Sequence, residues 1–388
     1  LFATSVIEIS RSALRNNIRF LREMIGESAR FCSVIKGNAY GHGIDNFVPI
    51  AERCGVRQFA VFSADEALAA ERARRKGSEI MIMGAIDNEE LAWAIEHGIS
   101  FYVFEIDRLE GALTAARAVG KPARIHFEVE TGLNRTGFCP DDLERTAELI
   151  RENAEHFRLE GVCTHLAGAE SEGNQPRIRR QVGAFHRLVE RLGELGLVFE
   201  SRHAACSAAA FAYPETIMDM ARIGISQYGY WPSRETQMRY FLSHKQQPGE
   251  RIPDPLRRVI KWKSKVMSVQ SVGEGEFVGY GSSFLTTKPG RYASIPVGYF
   301  HGFSRAMSNL GHVLIRGRRA TVTGVVNMNM AVVDVTNIPG VQKGDQVVLI
   351  GKQRRAEITV GFFGDMTRDM SYEVLVRLPS EIPRVTVD

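Results

Sequence analysis

The sequence predicts an α/β protein in which repeated strand-helix units are followed by a mainly-β C-terminal domain. Over the first part of the chain, short apolar runs alternate with amphipathic stretches at intervals of roughly 20 to 35 residues. After about Gly229 that grammar stops, and Trp231 to Arg257 is polar, proline-containing and irregular, as suits a long loop or linker. From Val259 onward the helical period gives way to short valine-rich runs between glycine-containing turns. These three observations divide the chain into 1–245 and 246–388.

Ser5 to Ile9 alternates as a strand should, Ser10 can cap, and Leu14, Ile18 and Leu21 recur at helical spacing. The phrase then repeats as Arg30 to Ile35 with Ile44 to Arg53, Gln58 to Phe62 with Ala64 to Arg75, Glu79 to Met83 with Glu89 to Glu96, and Ser100 to Phe104 with Arg108 to Val119. Arg124 to Val129 leads to a helix over Pro140 to Asn153, and Leu159 to His165 to one over Arg177 to Leu195. A weak strand near Ser201 precedes a helix over Met218 to Ser226. About eight such units describe either a parallel (β/α)8 barrel or an open doubly wound sheet, and periodicity does not separate the two. Beyond the linker, Ile260 to Val272, Arg291 to Val297, His312 to Ile315, Ala320 to Val326, Ala331 to Val335 and Gln346 to Ile350 read as strands.

A chain of 388 residues with 49 basic and 45 acidic side chains buries a large core and carries a net charge of only +4. That balance points to neither nucleic acid nor an anionic membrane as a partner, and no apolar run reaches the roughly 20 residues that span a bilayer. Cys32, Cys54, Cys139, Cys163 and Cys206 lack CxxC spacing, which argues against a disulfide framework or a metal site and favours a reducing, cytoplasmic compartment. The start at Leu1 leaves room for a removed upstream segment and a periplasmic address.

Ser33 to Gly43 reads SVIKGNAYGHG, a short strand that delivers Lys36 into a glycine-flanked turn. By itself such a lysine reads as a surface residue. The phrase lysine, any residue, asparagine or aspartate, alanine, tyrosine, glycine, histidine, glycine resembles the cofactor-lysine motif of the alanine racemase family. The resemblance implies the (β/α)8 TIM-like barrel with a C-terminal β domain. It also implies that Lys36 carries pyridoxal 5'-phosphate (PLP) and that Tyr40 touches the phosphate.

PLP supplies the electron sink that α-proton removal from an amino acid needs, and racemisation asks for acid/base groups on both faces. Lys36 is one. VGYGSSF at Val278 to Phe284 resembles the family segment holding the opposite base, which makes that base Tyr280, although a tyrosine between glycines ordinarily reads as a turn residue. Tyr299 in IPVGY is implied as a substrate-pocket partner. ETGLNRTG is similar to the turn whose arginine meets the substrate carboxylate, giving Arg135, and a guanidinium fork suits a carboxylate. Glu128 stands where members often carry a carbamylated lysine, and its charge can orient Arg135. VCTHLA implies that His165 stacks on the pyridine ring, where a histidine after an apolar strand would otherwise read as a core residue. HAACSAA implies His203 behind the cofactor and Ser207 on its phosphate, with Cys206 where asparagine is common.

ARIGIS implies Arg222 opposite the pyridine nitrogen, with the backbone of Gly224 and Ile225 on the phosphate. A guanidinium gives up no proton, so the nitrogen stays unprotonated and the sink weak.

The pocket departs from the family pattern. VNMNM keeps Met328 but has Asn329 in place of an acid, as in the broad-spectrum amino-acid racemase branch; Ser380 replaces a bulky tyrosine, and His301 replaces an aspartate. A larger pocket implies substrates wider than alanine, including serine or basic amino acids. The resemblance also implies a homodimer in which Tyr280 and Met328 act on the neighbouring subunit's site. The competing readings are a PLP-dependent decarboxylase on the same barrel and a non-catalytic PLP-binding protein. The first would carry a carboxylate in place of Arg222, and the second would lack the β domain.

Overall fold

A computed structural model describes residues 3–75, 77–245, 247 and 252–388. Residue 246, where the sequence places the second domain's start, and part of the Trp231 to Arg257 segment lie outside the described residues. By its contacts the chain forms two units, one of Leu14–Gly37 with Val48–Arg257 and the other of the N-terminal stretch to Ala13, Asn38–Phe47 and Arg258–Asp388.

The first unit is a barrel. Arg30–Val34, Gln58–Ser63, Glu79–Ala85, Ser100–Val103, Ala123–Glu128, Phe157–Cys163 and Arg202–His203 pair in parallel in chain order, and Met220–Ile223 pairs with Arg30–Val34. Arg222 N donates to Ala205 O at 3.0 Å, which brings the two ends of the sheet together. The alternation therefore closes, and the open sheet is not formed. The strands are buried almost throughout because helices cover the outside and side chains fill the inside, so they read as continuous apolar runs.

Two elements differ from the sequence expectation. Met220–Ile223 is a strand where a helix was expected: four buried residues are too few for a period to show, and the helix of this unit is Ser207–Ala212. Ser5–Ser10 is not a barrel strand at all, pairing antiparallel with Ile260–Lys265 and parallel with Arg384–Val387. Its alternating burial is that of a half-buried antiparallel strand, and Ile7 and Ile9 on its inner face are fully buried. The Trp231 to Arg257 stretch contains a helix, Arg234–His244, capped by Ser233, whose hydroxyl accepts from Thr236 N at 3.0 Å. Tyr240 fixes this helix through aromatic contacts with Phe20, Phe211 and Trp231 at 5.8, 6.1 and 5.0 Å.

The second unit carries a seven-stranded sheet, ordered Arg318–Thr321, His312–Ile315, Gln346–Gln353, Ile260–Lys265, Ser5–Ser10 and Arg384–Val387, with Ala356–Ile358 paired to Gln346–Gln353. Ser268–Val272, Gly290–Ile295 and Ala331–Asp334 form a separate antiparallel sheet. Trp262 is fully buried among Phe303 and Phe363.

The Lys36–Tyr40 turn is helical but winds left-handed, with φ of 62° at Gly37, 52° at Asn38, 54° at Ala39, 51° at Tyr40 and 77° at Gly41. Each non-glycine residue held so costs about 1–2 kcal/mol. Local bonds offset this. Asn38 O accepts from Gly43 N and its Oδ1 from Ile44 N, both at 2.9 Å. His42 Nδ1 lies 3.1 Å from Ala39 O and 2.9 Å from Tyr40 O; carbonyls only accept, so Nδ1 carries the proton. A Cβ at Gly41 would collide with the backbone oxygen of Leu375. Gly41→Ala is therefore expected to destabilise the protein by at least about 2 kcal/mol, read as a lower urea midpoint; an unchanged midpoint would contradict this account of the turn.

Candidate active site

In the barrel unit the side chains singled out from the sequence gather at the C-terminal ends of the strands, where barrel enzymes carry their chemistry. Lys36 follows Arg30–Val34. Its ammonium is held below the ordinary lysine range by desolvation and then by the charge of Arg135, with Glu66 opposing and Arg222 adding to the effect. Glu66 also braces the loop, accepting from Gly37 N at 2.5 Å and Phe62 N at 2.9 Å.

Arg222 is the buried centre. Its Nη1 donates to His203 Nδ1 at 2.5 Å and His203 O at 2.9 Å, and its Nη2 to Thr164 O at 2.8 Å and Ala204 O at 3.1 Å. Four of five guanidinium hydrogens are thus used, every partner is uncharged, and the Nε–H has no acceptor among the described residues.

A guanidinium can only donate, so His203 Nδ1 is unprotonated and Nε2–H donates to His126 Nδ1 at 3.0 Å. His126 Nε2 in turn carries its proton and faces Glu160 Oε2 at 3.7 Å. Arg124 holds Glu160 through Nε and Glu79 through Nη2 at 2.6 Å. Burial keeps both histidines neutral, while His126 and Arg124 outweigh burial at Glu160 and hold its carboxyl down to about 2. The row fits because position 161 is glycine: a Cβ there would strike both rings.

His165 sits just beyond Phe157–Cys163, its pKa pushed down to about 3 by burial and then by Arg222 and Arg135. Gln181, fully buried on the helix Gln175–Glu194, accepts from Ala167 N at 2.8 Å and donates to His165 O at 3.0 Å and Thr131 Oγ1 at 3.2 Å. One amide thereby ties the His165 segment to the turn bearing Arg135. In that turn Glu130 accepts from Gly132 N and from Asn134 N, and Arg135 is exposed. Glu128 is buried; desolvation raises its pKa, against a hydrogen bond from Thr136 and the charges of Arg222 and Arg135. Ser207 Oγ accepts from Gly224 N at 2.9 Å, Cys206 is half-buried beside it, and Ile225 opens a 3-10 turn whose first N–H lacks an internal partner.

The remaining residues lie in the second unit. Tyr40 is buried near Tyr372, their rings 6.0 Å apart. Tyr280 is 72% exposed between Gly279 and Gly281, both at positive φ. Tyr299 N and Phe300 N donate to Asn327 O and Met328 O, each at 3.0 Å, so the IPVGY and VNMNM segments are joined. Met328, Asn329 and Ser380 are exposed, and His301 Nδ1 accepts from Gly298 N at 3.2 Å. The sequence reading missed His126, Glu160, Gln181 and Glu130. Of these, only the histidine inside an apolar strand stands out in the sequence as unusual.

Among the described residues no helix is long and apolar enough to cross a membrane, and no group of three or more His, Cys, Asp or Glu side chains could hold a metal ion.

Two family models match the chain: alanine racemase, N-terminal domain, over residues 9–232, and alanine racemase, C-terminal domain, over residues 259–386. The chain is 32% identical over 385 residues to the alanine racemase of Leptospira interrogans, covering 99% of this chain and 96% of that protein. It superposes on the alanine racemase of D-cycloserine-producing Streptomyces lavendulae with a TM-score of 0.89 at 30% identity, covering 100% of this chain and 98% of the other. The alanine racemase of Bartonella henselae with covalently bound pyridoxal phosphate shares the fold, with a TM-score of 0.83 at 24% identity and full coverage of both chains at 100%.

Three buried histidines and the half-buried His165 give the protein an acid sensitivity. Unfolded histidine titrates near pH 6.5, whereas burial pulls His42 down to about 4 and His165 to about 3 and lowers His126 and His203. Between those values the unfolded chain binds more protons, so stability falls as the pH drops from about 6.5 towards 4. Denaturation midpoints at pH 7 and pH 5 should differ in that direction, and His165→Phe should flatten the slope; equal midpoints would show these rings to be protonated when folded.

Proposed function

The chain belongs to the alanine racemase family, and from that premise we propose that it interconverts L- and D-amino acids with PLP, using Lys36 and Tyr280 as the two proton carriers. Family membership selects this reading over the decarboxylase and the non-catalytic PLP-binding protein.

The observation that carries it is the buried Arg222 guanidinium, anchored by uncharged acceptors with one N–H left over. That donor fits the ring nitrogen of PLP, and the Ser207 hydroxyl with the Ile225 N–H fits its phosphate. When bound, PLP supplies the electron sink that allows an α-proton to leave.

The chain's own groups do the rest. Arg222 cannot release a proton, so it would hold the ring nitrogen unprotonated and keep that sink weak. Lys36 Nζ, lowered below the ordinary lysine range, is readier to hold and return a proton near neutral pH. Arg135 offers its planar fork to the substrate carboxylate, with Glu128 behind it. His165 is kept neutral and would offer an uncharged face to the ring, and Tyr40 would hold the phosphate.

Tyr280, Tyr299 and Met328 are exposed aromatic and sulfur side chains on glycine-rich loops. We assign them to the site of a second copy in a homodimer. Dilution of the holoenzyme should lower activity in step with loss of the dimer, and full activity in a monodisperse monomer would refute the shared site.

Asn329, Ser380 and His301 support a pocket wider than alanine requires. Racemisation of alanine, serine, lysine and arginine should be detectable by chiral analysis, and Tyr280→Phe should lower it by about 10²- to 10⁴-fold. Strict alanine preference would reject the wide pocket, and an unimpaired Tyr280→Phe would reject the two-base assignment.

A further inference from the structure

At the N-terminal ends of the barrel strands lies a cleft of about 880 Å³ that the proposed chemistry does not use. Arg30, Gln58 and Glu79 open three adjacent strands there. Lys36 lies beyond the other end of the first of these strands, six residues on and about 20 Å away at roughly 3.3 Å per residue.

Arg15, Arg19, Arg22, Arg30 and Arg57 all line this cleft. Among the described residues none of the five makes an ion pair. Arg22 donates instead to Gly55 O at 2.6 Å and lies over the Phe31 ring at 5.8 Å; Arg57 donates to Glu52 O and Val56 O at 3.0 and 2.9 Å. The lining carboxylates are Glu23, Glu27 and Glu79, and Glu79 is engaged with Arg124. Five guanidinium groups against three carboxylates leave two positive charges in excess. Cys54 supplies no counter-charge, because burial raises its thiol pKa.

The guanidinium groups stand close enough to oppose one another. Arg22 is held below the ordinary arginine range by burial and then by the like charge of Arg57. Gln58 is 5% exposed and lines the cleft, and its side-chain oxygen, an acceptor, has no protein partner among the described residues, so it suits a hydroxyl or N–H of a bound molecule. Native proteins rarely leave a buried amide oxygen unpaired.

We propose that this cleft binds a diphosphate-bearing anion. Planar forks suit phosphate oxygens, and an anion with two or more negative charges, as a diphosphate has, meets the whole excess, whereas a single carboxylate would leave part of it unmet. The volume exceeds what inorganic diphosphate fills and lies within the range of small-molecule sites, roughly 300–1,000 Å³, so a nucleoside diphosphate also fits.

The test is calorimetric titration of the PLP-loaded enzyme with inorganic pyrophosphate and, separately, with ADP, without metal ions and against chloride at matched ionic strength. The cofactor occupies the other phosphate site, so the heat reports this cleft. Saturable binding of one anion per chain is expected. It should weaken with added salt and fall by at least about tenfold in Arg19→Gln/Arg30→Gln, where two charge-assisted contacts are lost. Both residues are exposed, and racemisation without the anion should be unchanged in that variant. Tighter binding of ADP would assign the remaining volume to the nucleoside, and equal binding would assign recognition to the diphosphate alone. No saturable heat above the chloride control, or unaltered affinity in the double variant, would overturn the proposal. Either result leaves the racemase reading intact, and a failure of racemisation would leave this titration intact.

Discussion

The barrel's interior depends on one buried positive charge. Arg222 sits in a strand whose residues are all buried, and among the described residues no carboxylate accepts its hydrogen bonds. Burying an unpaired guanidinium is costly, and three carbonyls and an imidazole nitrogen repay that cost only if each points its lone pair inward. Those acceptors come from the ends of the strands Phe157–Cys163 and Arg202–His203, so placing the arginine also fixes the register there. The same requirement dictates the protonation of two histidines, and behind them Glu160 ends the row in contact with Arg124. A residue that cannot donate or accept at position 203 would strand either the guanidinium or His126.

A second constraint is local and opposite in kind. The lysine turn is held in a conformation that L-residues avoid, by hydrogen bonds accepted by the Asn38 side-chain oxygen and donated by the His42 imidazole, and by a glycine that Leu375 crowds. Strain of this kind persists only where neighbours over-determine it, and it is concentrated where a side chain must be presented at a fixed angle. The glycines and Asn38 were visible in the sequence as turn residues. The left-handed winding through Ala39 and Tyr40 was not, because neither residue favours it and only the surrounding bonds impose it.

That contrast describes the legibility of the whole chain. Strands with helices of nine or more residues between them were readable, since burial imposes a period on long elements. Met220–Ile223 was misread because four residues carry no period, and Ser5–Ser10 because a strand's pattern shows that one face is buried but not against which sheet. Reading the site relied on short phrases containing Lys36, Arg135, His165, Arg222 and Tyr280. Gln181 and Glu160 escaped because a glutamine or glutamate on a charged helix or strand resembles its solvated neighbours. Their roles come from the residues that tertiary structure brings to them.

The exposed loops of the second unit follow from the same economics of burial. Tyr280, Phe300, Met328 and Met330 stand in solvent on turns, while Trp262, Phe303 and Phe363 of the same unit are buried. A folding chain that can bury large side chains leaves a neighbouring set exposed when the loops are held by backbone bonds, as Tyr299 and Phe300 are by Asn327 and Met328. Such a set is pre-organised, since the backbone entropy has been spent in folding, and association need only order side chains. Rigid, apolar and presented on glycine hinges, it has the character of a surface made to be covered. The polar Oη of Tyr280 at its tip is suited to chemistry once water is excluded, and a second copy of the chain is what our assignment places there.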